Sequence, residues 1–221
     1  NPQVDVLSII LSTFGFGGLL YGFSSAGNDG FTHPAVLSAL IIGGIALTLF
    51  ILRQLSLVQP ILEVRVFKYR IFAICSVIGM IIFTVLIAAE TILPIYMQVM
   101  AGFTAFEAGI VILPGALLTG LLSPIVGRIF DAIGGRWLLI IGLFITSVTT
   151  LLFVDLTPET SLFYLTVAFA VRMFGMSMVM MPSTTTGLNV LPNRLMPHGT
   201  AVMNTTRQVA ASIGTGLLIT I

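Results

Sequence analysis

The chain has 221 residues, of which 57% are hydrophobic and only 8% are charged, and its mean hydropathy is +1.13. A soluble domain carries about 25% charged residues, so this composition excludes an ordinary soluble fold. The net charge of +1 gives no electrostatic basis for binding nucleic acid. A single cysteine, Cys75, excludes an intramolecular disulfide and a cysteine-based metal site, and is expected to be apolar filling within a helix.

Seven apolar segments fill almost the whole chain. A helix needs about 20 mostly apolar residues to cross a hydrocarbon core about 30 Å thick. In lipid the backbone must satisfy its own hydrogen bonds, so such segments are helical. The segments are 6–26, 35–52, 71–99, 108–127, 137–154, 161–186 and 199–221. The sequence therefore predicts an all-α polytopic membrane protein with about seven transmembrane helices.

The basic residues of the connections predict which side faces the cytoplasm. The connections between segments two and three, four and five, and six and seven hold Arg53, Arg65, Lys68, Arg70, Arg128, Arg136 and Arg194. The opposite connections hold Asn28, Asp29, Glu107, Asp155 and Glu159, without Lys or Arg. Positive charge favours the cytoplasmic side, so the first segment is expected to begin inside, next to Asp5. The basic, amphipathic stretch 59–70 is expected to lie on the cytoplasmic surface.

Three charged residues fall within the predicted helices. Charges at such depth are costly and usually face a bundle interior or a watery cavity. Glu90 in helix three shares a face with Phe83 and Met97 by helical spacing, and is either an interfacial carboxylate or a protonatable, cation-recognising group. Arg172 lies in helix six. Arg207 in helix seven either snorkels to the cytoplasmic surface or belongs to a structural or gating pair.

Helices four, six and seven hold further candidate residues, and those of helices four and six allow two interpretations each. Helix four is rich in Gly and Pro, including Pro114, which indicates either tight packing or a helix that bends during function. Helix six contains five methionines, among them Met173 and Met176, which either fill the core or line a cavity for apolar ligands. Helix seven places Asn204 on a small and polar stripe with Thr200, Arg207, Ala211 and Gly214.

The connection after helix four carries a recognisable motif. Residues 127–136 read GRIFDAIGGR, in which Asp131 is expected either to cap the next helix or to pair with Arg128 or Arg136. The plain interpretation is a short charged hairpin. The run also resembles the G-x-x-x-D-x-x-G-R loop of the major facilitator superfamily, with one extra Gly. That resemblance implies a charge relay that locks one conformation.

A longer set of motifs runs through the rest of the chain. It comprises LPIYMQ at 93–98, AG at 108–109, LPG at 113–115, RMFGMSM at 172–178, LP at 191–192, GTA at 199–201, NTTRQ at 204–208 and SIG at 212–214. Their order resembles the C-terminal half of the fourteen-helix drug:proton antiporters of the EmrB/QacA type. The resemblance implies two central linker helices in 1–58, a cytoplasmic linker in 59–70, and five of the six C-terminal bundle helices in 71–221.

This resemblance also implies a function. It points to proton-coupled export of hydrophobic or cationic drugs by alternating access in a bacterial cell membrane. The energy source would be the proton gradient, without a bound cofactor. The partners would be substrate, lipid and an N-terminal bundle of the same, longer protein. Alternatives are the same fold exporting a specific antibiotic, siderophore or lipid, and a non-transporting membrane receptor, including a self-contained seven-helix one, or assembly subunit.

An enzymatic function is not expected from these residues. The two histidines, His33 and His198, lie in connections on opposite sides without carboxylate or cysteine partners at ligand spacing. No phosphate-binding glycine loop is present, so ATP is not expected to drive the chain. Neither catalytic residues nor metal ligands are therefore assigned.

The charge distribution predicts which connections are accessible from outside the cell. Cysteines introduced near Asp29 and Asp155, in a protein without Cys75, should react with an impermeant maleimide added to intact cells. Cysteines placed within 128–136 should react only after permeabilisation, because this loop carries two arginines. Labelling of the 128–136 loop from outside would overturn the predicted topology.

Overall fold

Helices make up most of the computed structural model, which describes residues 5–57 and 60–220. The long helices are α1 (Val6–Asp29), α2 (Pro34–Ser56), α3 (Arg70–Ile95), α4 (Ala105–Ile133), α5 (Gly135–Leu151), α6 (Leu162–Asn189) and α7 (Met196–Thr220). Two short 3₁₀ helices span Val64–Lys68 and Asn193–Leu195, and a π-helical turn spans Tyr96–Met100. These described ranges contain no strand, which confirms the predicted all-α class. Residues 1–4, 58, 59 and 221, which include ends of the predicted segments and domains, lie outside them.

Five helices have the length and apolarity of membrane spans. They are Val6–Gly27, Pro34–Ser56, Arg70–Met100, Ala105–Ile133 and Leu162–Asn189. The apolar helix α5 has 17 residues, fewer than the about 20 that a perpendicular crossing requires. The chain is a multi-pass membrane protein, and the crossing of the bilayer by α5 and α7 stays a prediction.

The described chain divides into two compact units. The first holds the residues up to Ala88 together with those from Gly187 onward, and the second holds Ala89–Thr186. In the first unit α1 packs on α2 and on α7, and the 3₁₀ helix Val64–Lys68 contacts α2 and α7. The predicted linker pair therefore belongs to the same unit as the last helix. The predicted domain boundaries at 58 and 70 stay a prediction.

Helices α1 and α2 approach until their backbones touch. A Cβ on Gly43 would lie 2.8 Å from the backbone nitrogen of Leu19 and 3.0 Å from the carbonyl carbon of Gly18. A Cβ on Gly18 would in turn lie 2.9 Å from the Cα of Gly43. Glycines let membrane helices pack this closely, and dispersion contacts then stabilise the pair.

A polar cluster joins the start of α1 to the end of α2. Asp5 caps α1, and Arg53 donates to its carboxylate through Nε at 2.8 Å and Nη2 at 3.0 Å. Buried Gln54 donates to Ser8 Oγ at 2.7 Å and accepts from the backbone N–H of Leu62 at 3.1 Å. The hydrogen bond from Arg53 holds the pKa of Asp5 well below its usual range. These bonds fix the segment after residue 60 against the helix pair.

The second unit is built around α6. Glycines on neighbouring helices lie against it. A Cβ on Gly115 of α4 would lie 2.9 Å from the Met173 side chain at Cγ, and one on Gly142 of α5 would lie 2.7 Å from the backbone carbonyl oxygen of Gly175. Helix α4 continues through Pro114 and Pro124 without a break. This geometry supports the packing interpretation of Gly115, whereas bending at Pro114 stays a prediction.

The contact between α1 and α2 predicts unequal effects of two adjacent glycines. Gly43→Ala should lower the free energy of unfolding by about 1–3 kcal/mol, because backbone atoms cannot move aside as a flexible side chain can. Gly44→Ala is the matched control, since a Cβ there meets nothing within 4 Å. It should change stability by no more than about 0.5 kcal/mol. Thermal melting of the full-length protein in detergent measures both, and equal melting temperatures would contradict the packing.

Candidate functional site

The carboxylate of Glu90 and the guanidinium of Arg172 interact electrostatically within the second unit. Glu90 is half-buried on α3, and Arg172 is 2% exposed on α6. Arg172 Nε also donates to Thr150 Oγ1 of α5 at 3.3 Å. Arg172 lies 82 positions after Glu90 in the sequence, so the pattern of α3 gave no sign of this interaction. The pair links α3, α5 and α6.

The helix changes its geometry between one and two turns after Glu90. Pro94 lies inside α3 and has no N–H to donate to the carbonyl of Glu90, one turn earlier. The chain then forms the π-helical turn Tyr96–Met100, a rare conformation that is frequent at functional sites. Met97 is fully buried in this turn, and the hydroxyl of Tyr96 donates to the carbonyl oxygen of Thr157 at 2.6 Å. Glu90 therefore borders an irregular stretch of α3.

The two candidate methionines of α6 are buried in the second unit. Met173 is 5% exposed and Met176 is 4% exposed. Met173 and Phe169 cover Gly115 of α4, so Met173 fills space between these helices. A role of either methionine in ligand binding stays a prediction.

Phe83 lies in the first unit and lines a cavity there. The cavity has a volume of about 340 Å³ and is lined by residues of α1, α3 and α7. Its lining includes Ser24, Phe83, Gln208, Ser212 and Thr215. Phe83 and Glu90 thus fall into different compact units although helical spacing puts them on one face of α3.

Arg207 is buried against a glycine of α3. It is 4% exposed, and a Cβ on Gly79 would lie 2.6 Å from its Nε atom. Arg207 therefore occupies the space that a side chain at position 79 would take, and both its snorkelling and its place in a structural or gating pair stay predictions. The predicted polar stripe is not one buried face: Ala211 is buried with Arg207, whereas Asn204 is exposed.

In the hairpin after α4, Asp131 does not form the interactions that the sequence led us to expect. Asp131 lies in the last turn of α4, which ends at Ile133, and α5 begins at Gly135. The N-cap of α5 is Gly134 at φ 80°, without a side-chain hydrogen bond, so the expectation that Asp131 caps the next helix is wrong. Arg128, Asp131 and Arg136 are all exposed, and neither arginine forms an ion pair with Asp131 in this described hairpin. Their gating role stays a prediction.

The sequence did not indicate the hydrogen bond between Arg172 and Thr150 or the polar cluster around Asp5. Thr150 Oγ1 donates to the carbonyl oxygen of Thr146 at 2.7 Å while accepting from Arg172. The spacing of Thr146 and Thr150 places both on one face of α5, but only the packing of α6 against α5 identifies Arg172 as the partner of Thr150. Asp5 and Arg53 are separated by 48 positions, and only an antiparallel hairpin brings them together.

The Glu90–Arg172 pair predicts a non-additive effect on stability. Arg172→Met should destabilise the full-length protein by about 1–3 kcal/mol, because it leaves the carboxylate of Glu90 without its cation. Adding Glu90→Leu should restore part of this loss, since the double variant buries no uncompensated charge. Melting temperatures of the parent, both single variants and the double variant form a double-mutant cycle, which measures the interaction between the two groups. Strictly additive effects would show that the two groups do not interact.

Known proteins match this chain over nearly its full length. Relatives include the uncharacterized MFS-type transporter YcnB of Bacillus subtilis, with 53% identity over 100% of this chain and 47% of that protein. The lincomycin resistance protein LmrB of Listeria monocytogenes is 48% identical over 100% of this chain and 47% of its own length. The multidrug export protein EmrB of Escherichia coli is 26% identical over 99% and 43%. The chain spans about half the length of these relatives.

The family assignment follows from a match that covers most of the chain. The Major Facilitator Superfamily pattern matches residues 7–215. The relatives carry names of transporters and resistance proteins rather than of enzymes. These names agree with the prediction that the chain is not an enzyme. Together with the helical architecture and the apolar spans, this match identifies the chain as a member of the major facilitator superfamily.

Proposed function

We propose that this chain is the C-terminal part of a proton-coupled exporter of hydrophobic or cationic drugs. The observation that carries the proposal is the charge pair Glu90–Arg172, placed within apolar helices of a family member. Two relatives are named for lincomycin resistance and multidrug export. An exporter of this kind would work by alternating access, with the two halves of the whole protein rocking around a midplane cavity.

The pair supplies a means of coupling a proton to a change of packing. When Glu90 is ionised, it compensates the positive charge of Arg172. A proton on Glu90 removes the negative half of the pair and leaves Arg172 to Thr150 and other partners. Because Glu90 lies one turn before Pro94, a shift of its side chain would act on the end of α3 that leads into the π-helical turn. A cationic substrate competing with Arg172 for Glu90 would have the same effect as the proton.

A specific antibiotic is the second candidate substrate. It is favoured by the names of two relatives, lincomycin resistance at 48% identity and methylenomycin A resistance at 24% identity. Both candidates share the fold and the energy source. The bacterial sources of these relatives also support a bacterial cell membrane as the location, with the N-terminal bundle of the same protein completing the substrate pathway.

Glu90→Gln tests the proposal directly. In proteoliposomes of the full-length protein with an imposed pH gradient, the variant should transport a cationic dye about tenfold more slowly, as expected for a lost interaction of about 1.4 kcal/mol. The transport rate of the variant should also depend less on pH, because the amide of Gln does not take up a proton as the carboxylate of Glu90 can. A neutral dye of similar size should be transported at closer to the parent rate.

Glu159→Gln is the matched control, because Glu159 is an exposed acid in the connection before α6. It should behave like the parent with both dyes. If Glu90→Gln also transports both dyes like the parent at every pH, the coupling carboxylate lies elsewhere in the protein. If the parent itself transports neither dye but exports lincomycin, the second candidate substrate replaces the first.

Asp131 and its neighbouring arginines are proposed to control cycling rather than binding. They are exposed at the hairpin between α4 and α5, far in sequence from Glu90 and Arg172. Asp131→Asn should slow transport about tenfold, a barrier change of about 1.4 kcal/mol, while the dye affinity stays within a few-fold of the parent value. Equilibrium dye binding and initial transport rates separate the two effects. A large loss of affinity at normal turnover would contradict this role.

A further inference from the structure

An apolar cavity in the first unit lies next to the basic segment that follows α2. Its volume is about 220 Å³, and its walls come from α1, α2, α3, α7 and the stretch 62–67. The lining includes Phe16, Phe50, Leu62, Phe67, Met80 and Thr206. It is a separate cavity from the one that Phe83 lines.

The walls of this cavity suit a hydrocarbon chain. Two threonines contribute to them, and both donate their hydroxyl protons to their own helix: Thr205 to the carbonyl oxygen of Ala201 and Thr206 to that of Val202, each at 2.8 Å. Neither hydroxyl proton remains for a ligand, and the other lining side chains are apolar. A polar molecule would lose hydrogen bonds to water here without replacement, whereas an acyl chain would not.

The stretch 62–67, which lines one side of the cavity, is anchored to the helices around it. Two cations follow this stretch. Val66 is fully buried against α3 and α7, and Arg65 donates to the carbonyl oxygen of Leu55 at 2.6 Å. The exposed side chains of Lys68 and Arg70, by contrast, form neither a hydrogen bond nor an ion pair with the described part of the chain. Lys68 directly follows Phe67, a lining residue, with a Cα–Cα spacing of about 3.8 Å.

The surroundings of these cations have the character of a membrane interface. Phe67 and Tyr69 are exposed on either side of Lys68. Aromatic side chains are enriched at the level of the lipid headgroups. Basic pockets between transmembrane helices on the cytoplasmic side bind anionic headgroups. A cation pair at the interface and an apolar cavity beside it match the two ends of one phospholipid molecule.

We propose that this cavity and its cations form a binding site for an anionic phospholipid of the cytoplasmic leaflet. One acyl chain occupies the apolar cavity, and the phosphate-containing headgroup lies against Lys68 and Arg70. The location in the cytoplasmic leaflet rests on the predicted topology, and the binding itself does not rest on the proposed drug transport. The site would tie the α1–α2 pair to α3 and α7 through a lipid.

Native mass spectrometry of the full-length protein tests the proposal. Phosphatidylglycerol and phosphatidylethanolamine with identical acyl chains are added at matched concentrations, and the bound lipid is counted. The parent should retain phosphatidylglycerol in preference. The double variant Lys68→Gln/Arg70→Gln should lose about fivefold in affinity for each cation removed, from the roughly 1 kcal/mol that a basic residue gains beside anionic lipid.

Two further variants separate the headgroup from the chain. Arg194→Gln removes an exposed cation on the same predicted side, in the 3₁₀ helix Asn193–Leu195, and should retain phosphatidylglycerol like the parent. Ala210→Phe places a ring in the cavity and should reduce retention of both lipids. Melting temperatures identify any variant that fails to fold.

Three outcomes would overturn the proposal. Equal retention of both lipids by the parent would show that no anionic headgroup is recognised. Unchanged retention in the Lys68→Gln/Arg70→Gln variant would place the lipid elsewhere. Absence of retained lipid from the parent would mean that polypeptide, from the other half of the protein or from a second copy, covers the cavity. None of these outcomes bears on transport of a dye, so failure here and failure of the proposed function are distinguishable.

Discussion

The cost of placing a charge among apolar helices is the constraint on which the second unit depends. Glu90 and Arg172 lie in helices that are otherwise apolar, and each would be expensive alone. Together they compensate each other, and Thr150 takes one further hydrogen bond of the guanidinium. In the proposed mechanism, a proton or a cationic ligand at Glu90 would change the charge balance of this pair.

The first unit is held together by backbone contact between two helices and by a polar cluster at one end of them. Gly18 and Gly43 bring α1 and α2 together, and the cluster around Asp5 and Gln54 fixes the end of the pair to the segment after residue 60. Because lipid gives no hydrophobic force between helices, such close packing and hydrogen bonds must hold the pair. The same arrangement leaves an apolar cavity beside exposed cations, which is where a lipid can take part in the packing.

The two buried arginines have different surroundings. Arg172 interacts electrostatically with the carboxylate of Glu90 and donates to the hydroxyl of Thr150, whereas Arg207 packs against Gly79. A charge change at Glu90 acts on the first directly. The side chain of Arg207 is buried in space that is open because Gly79 of α3 has no side chain.

The sequence by itself determined the helical class, the positions of the helices and the family resemblance. These follow from local properties: a run of about 20 apolar residues must be a helix in lipid, and motifs are read in order along the chain. Only the tertiary structure decided which residues meet. Glu90 and Arg172, or Asp5 and Arg53, are far apart in sequence, and no periodicity within one helix encodes such a contact. Asp131 shows the same limit, because its capping role depended on where α4 ended, and the helix continued past it to Ile133.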